Sequence, residues 1–195
     1  MTQTTDPAPD GRRQRSERSR QAITEALMGL IAEGVLVPTA QQVSERAGVG
    51  IRSVFRHFSD MESLFVTADE LNRAKYQNLF AGGDRDGSLD ERIQHAVEQH
   101  AVAYEAVGQV FLSTKSQLWR YGILQEQYMR AQRQIRRDLE DWLPELKDLP
   151  PDKREMVDML ASFETWNRLR EIQGQSRKTS VRLVTELLRQ TIAAD

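Results

Sequence analysis

Apolar side chains recur every three or four positions along most of the chain, which is the spacing of residues on one face of an α-helix. Short groups of glycine, proline and small polar residues separate these periodic stretches, as expected where helices end and the chain turns. The densest such group is Ala81-Gly82-Gly83-Asp84-Arg85-Asp86-Gly87-Ser88. The pattern predicts an all-α protein with about nine helices.

Groups of this kind mark where the predicted helices begin and end. Gly34 ends the first helix, the link Leu149-Pro150-Pro151-Asp152 precedes the eighth, and Gly174 separates the last two. The predicted ranges are about 16–33, two short helices within 39–58, and then about 60–80, 89–107, 109–120, 124–142, 152–173 and 176–193.

Residues 39–58 form the most specific local pattern. Thr39 is a good N-cap residue, and Gln42 three positions later completes a capping box. Gly48 can adopt a positive φ without a Cβ clash, so it can end the first short helix. The stretch therefore predicts two short helices joined by a tight glycine turn.

The second of these short helices has a buried side and an outward side. Val54 and Phe58 lie one turn apart and predict the buried side. The polar side chains left to point outward are Arg52, Ser53, Arg56 and His57. Such a pair fits the helix-turn-helix, which places its second helix in the DNA major groove. The alternative is a purely structural connection, because helix–glycine–helix turns are common in all-α proteins.

Residues 19–71 resemble the N-terminal DNA-binding domain of TetR-type transcriptional regulators. The resemblance rests on the apolar helix ending at Gly34, on Thr39, on Ala47-Gly48-Val49, and on Ser53-Val54-Phe55-Arg56-His57-Phe58 before a new helix with Glu62 and Leu64. The rest of the chain resembles these regulators only in layout. Phe55 and Met61 stand where many members have Tyr and Lys, so two phosphate contacts are missing and weaker non-specific affinity for DNA is expected.

The resemblance implies a ligand-responsive homodimer that represses transcription and releases a near-palindromic DNA operator when a small organic effector binds. The predicted domains are a disordered basic tail (1–15), a helix-turn-helix DNA-binding domain (16–60), a connecting helix (61–80), and a regulatory and dimerisation domain (81–195). The expected DNA-contacting residues are Thr39, Gly50, Ile51, Arg52, Ser53, Phe55, Arg56 and His57.

Arg52 and Arg56 are the expected base readers within this set. A guanidinium can donate two hydrogen bonds to O6 and N7 of guanine, and Ile51 suits contact with a thymine methyl group.

The net charge of −2, taken alone, disfavours a DNA-binding protein. The charges are unevenly distributed, however: residues 11–58 hold eight arginines and four glutamates, a net charge of +4, which leaves −6 for the remainder. Five of these arginines lie within residues 12–20. That run is either a solvated approach to the first helix or an arm that contacts backbone phosphate or the minor groove.

The last two predicted helices are apolar over a wide arc, which requires burial on more than one side. A second copy of the chain satisfies this requirement, and the resemblance implies a four-helix bundle between protomers. The alternative is a deeper core within one chain. The predicted interface residues are Met159, Trp166, Val184, Leu187 and Leu188.

Aromatic residues spread over the C-terminal part suggest a ligand pocket, since such pockets are mostly apolar. Ordinary core aromatics at helical spacing are the alternative. The candidate lining residues are Tyr104, Phe111, Trp119, Tyr128, Phe163 and Trp166.

Catalytic and metal-binding patterns are missing from the sequence. There is no cysteine, and His95 and His100 are five residues apart, which does not match the spacing of a zinc-binding helix. We expect no enzyme activity, no metal and no cofactor. No apolar run reaches the length of a membrane span, so a cytoplasmic protein without membrane contact is expected. The alternative function is a helical protein-interaction scaffold without sequence-specific DNA binding.

Overall fold

The computed structural model describes residues 11–193, apart from the side chain of Arg12. All regular structure in this range is helical, and nine α-helices confirm the predicted all-α fold. They are α1 (Gly11–Ala32), α2 (Ala40–Ala47), α3 (Ile51–His57), α4 (Met61–Ala81), α5 (Leu89–Gln117), α6 (Gly122–Trp142), α7 (Pro151–Leu160), α8 (Phe163–Asn167) and α9 (Arg177–Ala193). A 3₁₀ turn (Pro144–Asp148) follows α6, and α8 continues into a π-helical turn (Arg168–Ile172).

The head of the molecule, residues 11–60, holds α1, α2 and α3. The predicted capping box of α2 is present: the Thr39 hydroxyl accepts from the Gln42 N–H at 3.3 Å, and the Gln42 side chain accepts from the Thr39 N–H at 2.9 Å. Gly48 ends α2 with a φ of 65°, as its sequence position predicted. Local sequence thus fixes the angle between α2 and α3.

A single hydrophobic cluster holds the head together. Ile23 and Leu27 of α1 pack with Val43 of α2, with Val54 on the inner side of α3 and with Phe58, the C-cap residue of α3. Because all five side chains are almost fully buried, they fix which side of α3 faces solvent.

The head is joined to the body, residues 82–193, by more than the connecting helix α4. Leu124 at the start of α6 belongs to the hydrophobic cluster of the head. The Leu36 carbonyl accepts hydrogen bonds from the Ser113 hydroxyl at 2.8 Å and from the Gln117 side-chain amide at 3.2 Å, both on α5. The end of α5 and the start of α6 therefore hold the head directly.

The body is organised around α5, which packs against α4, α6, α8 and α9. One core cluster surrounds Trp142 and Leu188, both essentially inaccessible to solvent. A second cluster is largely aromatic and contains Phe80, Tyr104, Phe111, Phe163 and Trp166.

The start of α1 differs from the prediction. The helix begins at Gly11, so residues 11–15 are helical and not part of a disordered tail. The remainder of that predicted tail, residues 1–10, lies outside the described residues.

Two helix boundaries in the body also differ. The predicted helices 89–107 and 109–120 form one helix, α5, which runs through Gly108. Gly108 has no positive φ and lies inside α5, so it does not end the helix; a Cβ there would lie in ordinary contact, at 3.6 Å, with the Phe163 ring.

The predicted helix 152–173 is interrupted at Ala161 and Ser162. The Ala161 carbonyl accepts a hydrogen bond from the Tyr104 hydroxyl at 2.8 Å, and the Ser162 hydroxyl caps α8 by accepting from the Thr165 N–H at 3.3 Å. Within residues 11–193, no helix combines the length and apolar composition that crossing a bilayer requires.

Candidate functional site

The outer face of α3 presents two kinds of side chain. Arg52 and Arg56 lie one turn apart and are exposed, while Ile51 and Phe55, also one turn apart, are 38% and 49% exposed. Val54 lies on the opposite side and is buried in the head. We call Ile51, Arg52, Phe55 and Arg56 the α3 face; it combines two guanidinium groups with two apolar groups.

The two arginines of the α3 face differ in how they are held. The Arg56 guanidinium donates a hydrogen bond to the Ser53 hydroxyl at 2.8 Å. The Arg52 guanidinium has no hydrogen-bond or ion-pair partner within residues 11–193, and the residue is exposed to solvent. Ser53 itself is half-buried, and its role in this geometry is to orient Arg56.

His57 does not point outward as predicted. Its ring is half-buried, and its Nε2 is buried without a hydrogen-bond partner in the described part of the chain. Burial lowers the pKa of His57, and the positive charges of Arg56 and Arg20 lower it further. The ring is therefore neutral at pH 7 and adds no charge to the surface.

Thr39 and Gly50 flank the turn. Thr39 is exposed, but its hydroxyl is engaged in the capping box of α2. Gly50 is the N-cap residue of α3, and no atom would lie within 4 Å of a Cβ placed there. The backbone at Gly50 is thus open to close approach by a large partner.

The arginine-rich run is helical from residue 11 onward, so in that range it is not an extended arm. Arg13, Arg15 and Arg18 are exposed on the first turns of α1. Arg20 is different: it donates to the Thr67 hydroxyl at 2.9 Å and its guanidinium lies 4.9 Å from the centre of the Phe58 ring. Arg20 therefore ties α1 to α3 and α4.

A cavity of about 270 Å³ lies between α1, α4, α5 and α6. Its walls are mostly apolar and include Leu27 and Ile31 of α1, Phe65 of α4, and Val107 and Phe111 of α5. Because α1 belongs to the head, the cavity is shared between head and body.

Five of the six aromatic residues predicted to line a pocket pack in or against one aromatic cluster, but only two of them line the cavity. Phe111 and Tyr128 line the cavity, with their ring centres 6.0 Å apart. Tyr104, Phe163 and Trp166 lie in the packed aromatic core instead. The prediction is wrong for Trp119, which is 84% exposed in the turn after α5.

The polar residues of the cavity were not predicted. Asp69, Arg73 and Arg130, which we call the polar rim, line it together, and Asp69 pairs with both arginines. The spacing of Asp69 and Arg73 is visible in the sequence, but no local sequence pattern places Arg130 of α6 beside them. Asp138 lines another part of the cavity and is buried beside Arg85 at 3.0 Å and His100 at 3.2 Å.

Three of the five predicted dimer residues lie inside the single chain. Trp166, Val184 and Leu188 are buried in the body core, where a second copy cannot reach them. Met159 and Leu187 are 60% and 41% exposed, and Met156 of α7 is also exposed. The outer apolar face is thus Met156, Met159 and Leu187 on α7 and α9.

The chain matches no protein-family model and no curated protein. It does resemble solved structures. A transcriptional regulator from Rhodococcus sp. Rha1 superposes with a TM-score of 0.65 at 16% identity, over 91% of this chain and 95% of the other. A protein from Streptomyces coelicolor A3(2) is also described as a transcriptional regulator. It superposes with a TM-score of 0.56 at 21% identity, over 88% of this chain and 98% of the other. The chain shares its all-α fold with both.

Proposed function

We propose that this protein is a DNA-binding transcriptional regulator of the TetR type, acting in the cytoplasm, whose α3 enters the major groove. The observation that carries the proposal is the α3 face, because two exposed guanidiniums stand on a helix whose other side is anchored in the head. The regulators that share the fold add support.

Each side chain of the α3 face suits a different feature of a base pair. Arg52 and Arg56 can each donate two hydrogen bonds to a guanine edge, and Ile51 and Phe55 can contact thymine methyl groups. Ser53 holds Arg56 in place from within the helix. The exposed arginines of α1 supply positive charge for backbone phosphate.

A second copy of the chain would cover the outer apolar face. Met156, Met159 and Leu187 are exposed on adjacent helices, and single chains seldom leave large apolar side chains grouped at the surface. A twofold dimer would carry two α3 helices, so the operator would be nearly palindromic, with half-sites about 34–36 Å apart or a multiple of that spacing.

Release of DNA by a small molecule is the proposed regulation. The cavity is bounded by α1 of the head and by the connecting helix α4. A ligand that fills it better in one head placement would shift the population toward that placement, and a placement that mismatches the two half-sites would free the operator.

Selection from a library of random duplex DNA with the purified full-length chain tests the proposal. Enriched sequences should share a near-palindrome, and anisotropy titrations should show affinity falling steeply with salt, because each neutralised phosphate releases counterions. Failure to enrich any sequence, or binding that salt does not weaken, would favour a helical protein-interaction scaffold instead.

A further inference from the structure

The polar rim of the cavity holds more hydrogen-bond donors than acceptors. Arg73 donates from Nε, at 3.1 Å, and from Nη2 to one oxygen of Asp69, and Nη2 of Arg130 donates to that same oxygen. Within residues 11–193 these are the hydrogen bonds of the two guanidiniums, although each carries five N–H groups. Most of these donors remain for a ligand that brings acceptors.

The net charge of the polar rim also favours a ligand that brings acceptors, and specifically an anionic one. Two guanidiniums surround one carboxylate, so the three lining side chains carry a net charge of +1. Their side chains are 40%, 40% and 23% exposed for Arg73, Arg130 and Asp69, which leaves them reachable from solvent. Glu70 also acts on Arg73 through its charge, but it is exposed and does not line the cavity.

The other carboxylate of the cavity gives a cationic ligand little to bind. Asp138 is 5% exposed, and its two oxygens already face Arg85 and His100. A cation placed there would have to displace a buried partner, which is costly.

The apolar walls of the cavity and its volume indicate the shape and polarity of the part of the ligand that lies beyond the polar rim. Leu27, Val107 and Phe111 are buried residues that offer apolar contact. A volume of about 270 Å³ lies just below the usual range of ligand pockets, about 300–1,000 Å³, so the ligand must be small. The cavity therefore suits a compact apolar body with a single anionic end.

We propose that the cavity binds a small organic monocarboxylate whose carboxylate lies between Arg73 and Arg130 and whose apolar body contacts Phe111 and Leu27. This rests on the proposed function, in which a cavity ligand is the effector. With the acid bound, two guanidiniums face two carboxylates, and the rim loses its excess positive charge. Charge-assisted hydrogen bonds from arginine to carboxylate are among the strongest available to such a site.

Calorimetric titration of the full-length chain without DNA tests the chemical class. The probes are octanoate and 3-phenylpropionate, with 1-octanol, octylamine and acetate for comparison. At least one of the two longer acids should bind at least tenfold more tightly than octanol and octylamine, and acetate should bind more weakly still. Equal or tighter binding of octanol or octylamine, or no binding of either longer acid at millimolar concentration, overturns the proposal.

Variants assign the preference to the polar rim. Arg130→Gln and Arg73→Gln should bring the affinity for the bound acid to within threefold of that for octanol, while affinity for octanol stays unchanged. Arg133→Gln is the matched control, since Arg133 is exposed one turn along α6 and does not line the cavity. A tenfold preference that survives both rim variants would refute the assignment, as would equal loss of octanol binding in variants that melt like the parent.

The two proposals fail separately. The titrations contain no DNA, so tight binding of an acid by a chain that selects no DNA sequence would end the regulator hypothesis and leave the carboxylate site intact. Sequence-selective DNA binding by a chain that ignores both acids would do the reverse.

Discussion

Leu187 and Leu188 are neighbours in α9, yet only one of them is available to a partner. Leu188 is fully buried in the core cluster that contains Trp142, whereas Leu187 is 41% exposed on α9, the helix that packs against α7. The wide apolar arc seen in the sequence thus divides into a core stripe and an outer face.

We expect Leu187→Asp and Leu188→Asp to fail in different ways. Leu187→Asp should halve the sedimentation mass while the helix content by circular dichroism stays the same. Leu188→Asp places a charge in the core and should cost about 4 kcal/mol or more in unfolding free energy. An unchanged mass for Leu187→Asp, and likewise for Met159→Asp, would count against the proposed dimer.

Removing either outward guanidinium of α3 should reduce sequence preference without unfolding the head. Arg52→Ala and Arg56→Ala should each lower affinity for the selected operator by about 1–3 kcal/mol, that is about 5- to 150-fold. Affinity for a scrambled duplex should change much less, as measured by anisotropy.

Arg182→Ala on the exposed side of α9 is the control for these arginine variants and should leave DNA binding unchanged. If both α3 variants still discriminate operator from scrambled DNA as the parent does, the two arginines do not read bases.

Substitution at the turn between α2 and α3 should cost stability through the backbone alone. Gly48 has a φ of 65°, and no atom would lie within 4 Å of an added Cβ. Gly48→Ala should therefore destabilise by about 1–2 kcal/mol because an L-residue disfavours this conformation. Gly48→Asn should lower the unfolding free energy by less than Gly48→Ala does, since asparagine tolerates the left-handed conformation better than alanine. Urea unfolding of the three proteins measures both effects, and equal stability of Gly48→Ala and the parent would contradict this account.

Acid should weaken the contact between α5 and the 3₁₀ turn after α6. Hydrogen bonds from Arg92 hold the pKa of Glu145 below its usual value. A lowered pKa in the folded state means that the carboxylate favours folding above its unfolded pKa, and that this contribution disappears as pH falls through the folded value.

Glu145→Gln should accordingly lower the unfolding free energy at pH 7 by about 1 kcal/mol or less, because the carboxylate is partly exposed. In strongly acidic solution, the substitution should leave the unfolding free energy unchanged. Urea unfolding across this pH range measures the difference. Glu126→Gln on the exposed side of α6 is the control and should leave the unfolding free energy at pH 7 unchanged. A constant difference for Glu145→Gln at all pH values would exclude the ionised carboxylate as its cause.

Features set by neighbouring residues were predictable from the sequence. Thr39 and Gln42 form the capping box that their spacing predicted, and Gly48 ends α2 in the left-handed conformation. The inner side of α3 also followed, since Val54 and Phe58 are one turn apart and both are buried. Each of these depends on contacts within a few positions along the chain.

Features set by distant residues were not predictable. Phe111 and Trp119 are aromatic residues eight positions apart, but only Phe111 meets α6 and the cavity, while Trp119 lies in an exposed turn. Arg130 faces the cavity because Asp69 of α4 is beside it, and the sequence pattern of α6 alone does not reveal that neighbour. The break at Ala161 depends in the same way on a hydroxyl from Tyr104, 57 positions earlier.

Leu27 and Ile31 serve both as core residues of the head and as a wall of the cavity. If a ligand bound against Leu27 and Ile31 lowers the affinity of α3 for an operator, thermodynamic reciprocity applies. The bound operator must then lower the affinity for the ligand by the same factor. DNA-bound protein would then have the lower affinity for the ligand, and free protein would bind the ligand at lower ligand concentrations.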